Sequence, residues 1–409
     1  MQHPLVSRVV TGASVVALAV AGLSGGGAAH AASSQPMFSY AQGWRVDEHV
    51  RLLGDVDGDL RADIVGFGDP GVFVAYGRPD GTFSAPVLTV RDFGRRQGWR
   101  VDRHPRDVVD VDGDGRSDLV GFGNAGTYIS YAQADGSFTT PVLTVRDFGY
   151  DQGWRVDRHP REVGPVVRTS RSGDIVGFGD SGVLMARGRA DRTFTRATTV
   201  SDSYGHDRGW RAEKHPRMLT DLVGGVQEAV LGFGDAGTYV SHWSTSEPFF
   251  DPATLTVPDF GYQQGWRVDQ HPREAGDVNG DRHADVVGFG SAGVHVSYAR
   301  ADRTFAAPAL KADDFGARQG WRSDRHLRTL ADVDGDRVQD LVGFGDAGMY
   351  VAHGRADSTF GPVVLKVAGY GSDDGWTQDR YPRLLGDVNG DGREDVVGFG
   401  HSATSVTLS

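Results

Sequence analysis

The sequence predicts an all-β fold: a seven-bladed β-propeller of four-stranded antiparallel blades, closed by an N-terminal strand that completes the last blade. Three observations lead there. Two short markers recur seven times in one phase, turn chemistry divides each copy into four short runs, and the two ends of the repetitive region complement each other.

The first marker is Gly-Trp-Arg or a close variant, with its tryptophans at Trp44, Trp99, Trp154, Trp210, Trp266, Trp321 and Trp376, 55 or 56 residues apart. The second is Gly-Phe-Gly, centred on Phe67, Phe122, Phe178, Phe233, Phe289, Phe344 and Phe399. So regular a spacing means one structural unit per copy. In the second copy, residues 106–111, 118–123, 127–132 and 141–148 are short and rich in strand formers. Asp112-Gly113-Asp114-Gly115, Asn124-Ala125-Gly126 and Asp135-Gly136 supply the turns between them. The last copy holds three strands, the third over 404–409, while residues 37–42 match the stretch that precedes Gly-Trp elsewhere. Residues 37–42 are therefore expected to form the outer strand of blade seven and remove an exposed edge.

Composition fits this reading. The 409 residues include 59 glycines and only 10% aromatics, as short strands joined by many tight turns require. One repetitive domain is expected over residues 32–409. Residues 1–31 differ from it: Arg8, a nearly unbroken apolar stretch over 13–23, then Ala29-His30-Ala31, a small-x-small cleavage pattern. They read as a secretory signal peptide, so the mature chain is expected to be secreted and extracellular. The apolar stretch is too short for a comfortable membrane span, and no other segment is long and apolar enough. Cysteine is absent, so disulfides cannot brace an exported domain. The formal charge of −12 becomes −13 once Arg8 leaves with the leader, which argues against nucleic acid as a partner.

Five copies carry Asp-x-Asp/Asn-Gly-Asp-x-x-x-Asp between their first two strands. The sets are Asp55, Asp57, Asp59, Asp63; Asp110, Asp112, Asp114, Asp118; Asp277, Asn279, Asp281, Asp285; Asp332, Asp334, Asp336, Asp340; and Asp387, Asn389, Asp391, Asp395. Oxygens at positions one, three, five and nine, with a backbone carbonyl at seven, have the ligand spacing of a calcium loop. Asp-Gly clusters also make good turns without any ion, but five such loops in phase bring together carboxylates that repel one another unless a cation joins them. Up to five structural Ca²⁺ sites are expected. Copies three and four lose the pattern to Arg168-Thr169-Ser170-Arg171 and Val223-Gly224-Gly225-Val226, and in copy three the arginines are expected to stand in for the ion.

Phe-Gly followed by such a loop and by Gly-Phe-Gly resembles the FG-GAP repeats of integrin α-subunit propellers. The longer motif Asp-Phe-Gly-Tyr-x-Gln-Gly-Trp-Arg-Val-Asp-x-His-Pro-Arg, at 147–161 and 259–273, followed by Val-Gly-Phe-Gly, more closely resembles the repeat of Psathyrella velutina lectin-type propellers. The resemblance spans residues 37–409. It implies a calcium-containing lectin that binds N-acetylglucosamine or sialylated glycans in pockets between blades.

The Gly-Trp-Arg-Val-Asp-x-His-Pro-Arg segment joins the outer strand of one blade to the inner strand of the next and so lines an inter-blade groove. An indole covers the apolar face of a sugar, while imidazole and guanidinium groups satisfy its hydroxyls and acetamido group. Copy seven keeps Trp376, Asp379 and Arg383 but carries Thr377 and Tyr381 where the others carry Arg and His, which separates ligand contacts from scaffold. The carbohydrate candidates are therefore His49, His104, His159, His215, His271 and His326, with Arg45, Arg100, Arg155, Arg211, Arg267 and Arg322. Six tryptophans join them, Trp44, Trp99, Trp154, Trp210, Trp266 and Trp321, divided between packing and sugar contact. The final arginines, such as Arg106 and Arg161, read as scaffold. The residue after Gly-Phe-Gly, which varies as Asp69, Asn124, Asp180, Asp235, Ser291, Asp346 and His401, ranks below the motif.

The alternatives are an integrin-like protein-adhesion propeller and, less favoured, a glycan-active enzyme. No nucleophile motif, metal-hydrolase signature or unique acid pair stands out, and the distinctive residues repeat equivalently instead of converging on one centre. The chain is read as a non-enzyme. Oligomeric state is not encoded in any feature of the sequence.

Overall fold

A computed structural model describes residues 33–166, 172–225, 229–244 and 249–409. The leader over 1–31, the substituted loop of copy three with Arg168 and Arg171, and Val226 lie outside the described residues. Those described form seven four-stranded antiparallel sheets. In blade two the strands run Arg106–Val109, Asp118–Phe122, Thr127–Ser130 and Val142–Val145, from the inner edge outward. The other blades repeat this order. No helix among the described residues is long and apolar enough to cross a membrane.

The ring closes as expected but through different residues. Ser33–Gln35, not 37–42, pairs with Thr404–Thr407 as the outer strand of blade seven, in the register Ser33 to Val406 and Gln35 to Thr404. The reason is Phe38. Its φ of 49° is left-handed, as are those of its six counterparts Phe93, Phe148, Tyr204, Phe260, Phe315 and Tyr370. Such a residue turns the chain out of the sheet, so each outer strand must end before it. The same turn explains why the blade-two strand stops at Val145 instead of continuing to Phe148. Gln35 also exchanges two 2.8 Å hydrogen bonds with the backbone of Phe83 in blade one, so the closing strand ties the first blade to the last.

A left-handed conformation costs an aromatic residue about 1–2 kcal/mol. The compensation is burial: these seven rings are 0–6% exposed, and full burial of a Phe contributes roughly 1.5–3 kcal/mol. Each packs against the Gly-Phe-Gly phenylalanine of the blade it leaves and the tryptophan of the blade it enters. Phe93, for example, lies 6.2 Å from Phe67 and 5.0 Å from Trp99. The apolar core is therefore a ring of clusters between neighbouring blades, such as Val65, Phe67, Val74, Phe93, Trp99 and Val108.

The motif's last arginine ties the same elbow to the next inner strand. Arg51, Arg106, Arg161, Arg217, Arg273, Arg328 and Arg383 each donate Nη1 to the carbonyl of the left-handed aromatic, at 2.7–3.2 Å. Six of them also lie over an aromatic ring of the preceding blade at 5.2–5.6 Å, among them Arg106 over Phe67 and Arg273 over Phe233.

The two sequence markers meet in space. A Cβ added to the first glycine of Gly-Phe-Gly would lie 2.4–2.7 Å from the motif tryptophan at Gly66, Gly121, Gly177, Gly232, Gly288, Gly343 and Gly398. Only glycine lets the indole lie against the second strand. Overpacking of this kind costs about 1–3 kcal/mol, so Gly288→Ala is expected to lower the urea midpoint and the thermal midpoint clearly. Gly225→Ala, where nothing lies within 4 Å of the added Cβ, should leave both nearly unchanged.

Candidate functional site

The segment between outer and inner strands opens with a single 3₁₀ turn, Arg95–Gln97 in the approach to blade two, closed by Gly98 at a φ of 95°. That glycine delivers Trp99 onto Gly121 and Gly123. The indole Nε1 donates to Asp92 at 3.0 Å, and the same carboxylate caps the backbone N–H of Phe93. Asp147, Asp259 and Asp314 hold Trp154, Trp266 and Trp321 in the same way at 2.8–2.9 Å. Met37, Ser203 and Gly369 occupy the corresponding positions before Trp44, Trp210 and Trp376. Those three indoles are the less buried ones.

Two cavities open over these tryptophans. One of about 220 Å³ in blade two is lined by Asp92, Gln97, Trp99, His104, Asn124 and Tyr128 with the intervening glycines. One of about 390 Å³ in blade four is lined by Asp202, Ser203, Arg208, Trp210, His215, Asp235 and Tyr239, among others. The third strand supplies an aromatic wall: Tyr128, Tyr239 and Tyr350 stand edge-on to their tryptophans at 5.7–5.8 Å, and Phe73 and His295 stand at 6.2 and 6.0 Å. Blade three has Leu184 there.

The six motif histidines are buried, 2–7% exposed. In every case Nδ1 accepts the backbone N–H of the motif arginine at 3.1–3.2 Å. The ring proton therefore sits on Nε2, which faces the residue after Gly-Phe-Gly: Asp69, Asn124, Asp180, Asp235, Ser291 and Asp346, at 2.9–3.2 Å. Burial lowers the pKa of all six histidines, that of His271 to about 4, so the neutral tautomer is the form that holds these contacts at neutral pH. Each imidazole thus orients a side chain nearer to solvent. Asp69, Asp180, Asp235 and Asp346 are 46–58% exposed and keep acceptor capacity toward solvent. In blade two, His104 donates to Asn124 Oδ1, which leaves the amide N–H groups for a ligand.

The motif arginines sit elsewhere. Nη1 of Arg45, Arg100, Arg155, Arg211 and Arg267 donates to the carbonyl of the tryptophan beside it and to that of the first residue of the 3₁₀ turn. Arg45, Arg155 and Arg267 also stack on tyrosines of that turn at 3.5–3.7 Å. Arg322 instead makes a paired contact with Asp324 at 2.8 and 3.0 Å. None of the six lines either cavity. The structure thus brings tryptophan and histidine to the groove with two groups that the motif ranking passed over: the aspartate seven residues before the tryptophan and the residue after Gly-Phe-Gly. Copy seven carried the signal for the second of these, since His becomes Tyr381 in the copy where Asp becomes His401. Tyr381, His401 and Tyr40 form an aromatic cluster there, with centroids 5.8–6.4 Å apart.

The aspartate loops lie at the other end of the second strand. The last carboxylate of each, Asp63, Asp118, Asp285, Asp340 and Asp395, is 0% exposed and accepts backbone N–H groups on both oxygens. Burial first, then the neighbouring loop aspartates, push Asp63, Asp118 and Asp285 up to about 8 and Asp395 to about 7. Carboxylate oxygens of Asp55, Asp57 and Asp63, and of Asp110, Asp112 and Asp118, lie within 4.8 Å of one another. Arg61 pairs with Asp59, and Arg116 and Arg192 pair with Asp112 or Asp114, but among the described residues no basic side chain reaches the buried Asp63 or Asp118, and such a gathering of carboxylates fits a divalent ion. Blade four has Ala229 at the last position, and its loop over 223–225 brings no carboxylate.

No described family profile and no curated protein matches the chain. Among solved structures, a lectin from Agrocybe aegerita, described as specifically recognising non-reducing terminal N-acetylglucosamine, superimposes with a TM-score of 0.81. It is 38% identical, over 84% of this chain and 86% of that one. The Photorhabdus luminescens Tc holotoxin pore (13% identity, 93% of this chain and 14% of that one, TM-score 0.49) and a Bacillus licheniformis rhamnogalacturonan lyase (15%, 88% and 71%, 0.42) are more remote, and neither bears on function. The identity and mutual coverage with the first place this chain in the family of β-propeller lectins to which the Agrocybe aegerita protein belongs.

Proposed function

We propose that the chain is a secreted multivalent lectin that takes terminal N-acetylglucosamine in the inter-blade pockets, as a binding protein and not an enzyme. The observation that carries this reading is the blade-two cavity. It combines an indole and a tyrosine for the apolar faces, Asp92 for hydroxyls or the acetamido N–H, and a histidine-oriented Asn124 amide for the acetamido carbonyl. Blade six carries the same set as Asp314, Trp321, His326, Asp346 and Tyr350, with Asp for Asn. Single sites of modest affinity suffice, because a glycan-coated surface that engages several at once gains about 10²-fold or more in avidity. Sialylated glycans are the second ligand class, and the exposed guanidinium of Arg208, 3.7 Å from Asp202 in the blade-four cavity, is the cation available to them there.

Titration of N-acetylglucosamine followed by calorimetry is expected to show several equivalents bound. Asn124→Ala should weaken the blade-two site alone by about tenfold, the scale of one lost hydrogen bond, and should lower the thermal midpoint modestly, because it leaves the buried His104 Nε2 without its acceptor. If wild type binds no N-acetylglucosamine, the reading fails for this sugar, and a glycan array with sialylated members decides the next. Release of product from chitooligosaccharides would instead make the chain an enzyme.

Binding should also depend on pH in one direction. A histidine whose folded pKa is depressed contributes stability that is complete above its unfolded value near 6.5 and is lost as the pH falls toward its folded value. Protonation at Nδ1 would remove the acceptor for the arginine N–H. With the aspartate loops saturated with calcium, affinity is expected to be level from about pH 7 to 9 and to fall below about 6.5 as the histidines protonate.

The aspartate loops are proposed to hold calcium as a structural ion, with the four loop side chains and a backbone carbonyl as ligands. An ion bound only by the folded chain at 100 times its Kd stabilises by about 2.7 kcal/mol per site. Chelation is therefore expected to lower the thermal midpoint, and calcium to restore it. An unchanged midpoint would remove the calcium reading.

A further inference from the structure

Blade six departs from the other copies at its aspartate loop. The residue just past the third strand is Tyr76, Tyr131 and Tyr298 in blades one, two and five. Its hydroxyl donates across to the next blade, to the carbonyls of Gly136, Arg192 and Ser358, at 2.7–3.0 Å. These acceptors belong to the turn between the third and outer strands of that next blade. Blade seven has no such turn, because its third and outer strands come from opposite ends of the chain. In blade six the position is His353, and the imidazole lies over its own loop. Nδ1 is 3.1 Å from Asp340 Oδ2 and 3.2 Å from Asp334 Oδ2.

Two further observations mark the place. His353 Nδ1 is shielded from solvent and has these two loop carboxylates as its polar neighbours. Glu394 Oε2, from the start of the second strand of blade seven, is shielded too. The backbone N–H of Glu394 donates to the backbone carbonyl of Asp332 at 2.8 Å, and its carboxylate feels the charges of Asp332, Asp340 and Asp387. At this position blades one, two, three, five and six carry Ala62, Ser117, Gly173, Ala284 and Gln339, and blade four carries Glu228, so an acid facing a loop that keeps its aspartates is found at Glu394 alone. Blade six thus adds both a nitrogen donor and a fifth carboxylate to its aspartates. Calcium takes oxygen ligands, whereas imidazole with carboxylate suits divalent first-row transition ions.

We propose that the blade-six loop binds a divalent transition-metal ion of the zinc class through Asp334, Asp340 and His353, with Glu394 completing the charge, while its sister loops take calcium. This rests on the reading of the aspartate loops as cation sites. The structure supplies the donors on rigid elements, since Asp340 is fixed by backbone N–H groups of Val333 and Gly354.

Cobalt(II) is the probe, because its visible absorption reports nitrogen coordination. The whole protein, stripped with chelator and then held in millimolar calcium, is expected to bind one Co²⁺ with visible d–d bands, displaced by one equivalent of Zn²⁺. His353→Tyr, the residue type of blades one, two and five, should keep its sugar binding and lose the bands. Glu394→Ala should weaken binding at least about tenfold. The proposal is overturned if calcium suppresses the bands, as an ordinary calcium loop or a plain His353–Asp340 ion pair would have it, or if the bands survive in His353→Tyr. Calcium stoichiometry is measured separately on the stripped protein. Its failure, with the His353-dependent cobalt bands intact, would remove the calcium reading and leave this one standing.

Discussion

Everything in this ring hangs on an indole that lies where a Cβ would be. The tryptophan of each copy occupies the space left by the first glycine of Gly-Phe-Gly, at distances no larger residue would tolerate. The left-handed aromatic that precedes it reaches the same glycine from the other side, and the buried arginine that follows holds that aromatic's carbonyl. Four residue types far apart within a copy thus meet at one point, and that point lies between blades. The contact that makes a blade fold is therefore also the one that fixes its neighbour, which explains why a chain without a single cysteine can build so large a ring.

The pocket inherits its geometry from this contact. With the indole pinned, its Nε1 is held by an aspartate on one side, and the imidazole packs edge-on at 5.4 Å on the other in blade two. The histidine in turn aims a polar residue at solvent. Scaffold and variation are layered: tryptophan and histidine are buried and nearly constant, whereas the residue they present changes from Asp to Asn to Ser. In blades three and six the presented acid is also gripped by Arg158 or Arg325, and the hydrogen bonds from His159 and from Ser372 hold Asp180 and Asp346 below the ordinary carboxylate range. The grooves share one frame and differ at the mouth, which is the condition for sites of unequal affinity on one rigid body.

Much of this could be read from the sequence, because repetition turns one chain into seven samples of one unit. The count of blades, the four strands, the grooves and the closure follow from phase and turn chemistry alone. What could not be read was direction. Nothing in Gly-Trp-Arg says that the guanidinium folds back onto the carbonyls of its own turn while the histidine four residues on points outward through Nε2. Nor does the pattern reveal that Phe38 is left-handed, and so residues 37–42 were expected to be the closing strand when Ser33–Gln35 takes that place. Both concern a bend of the backbone that the residue types permit but do not announce.

Distance separates the two polar features of each blade. The last loop carboxylate opens the second strand and Gly-Phe-Gly closes it, so Asp63 and Phe67 stand about 14 Å apart at a rise of about 3.4 Å per residue. An ion in the loop cannot touch a ligand in the groove. Blade four bears this out: with Ala229 in place of the aspartate it has no such loop, yet its cavity of about 390 Å³ is the larger of the two over Trp99 and Trp210. A cation in the loop and a sugar in the groove would therefore be coupled only through the rigidity of the strand between them. That independence lets single copies lose the loop aspartates, as blade four has, or reline a groove, as blade seven has with Tyr381 and His401, without disturbing the frame that the tryptophan and glycine hold.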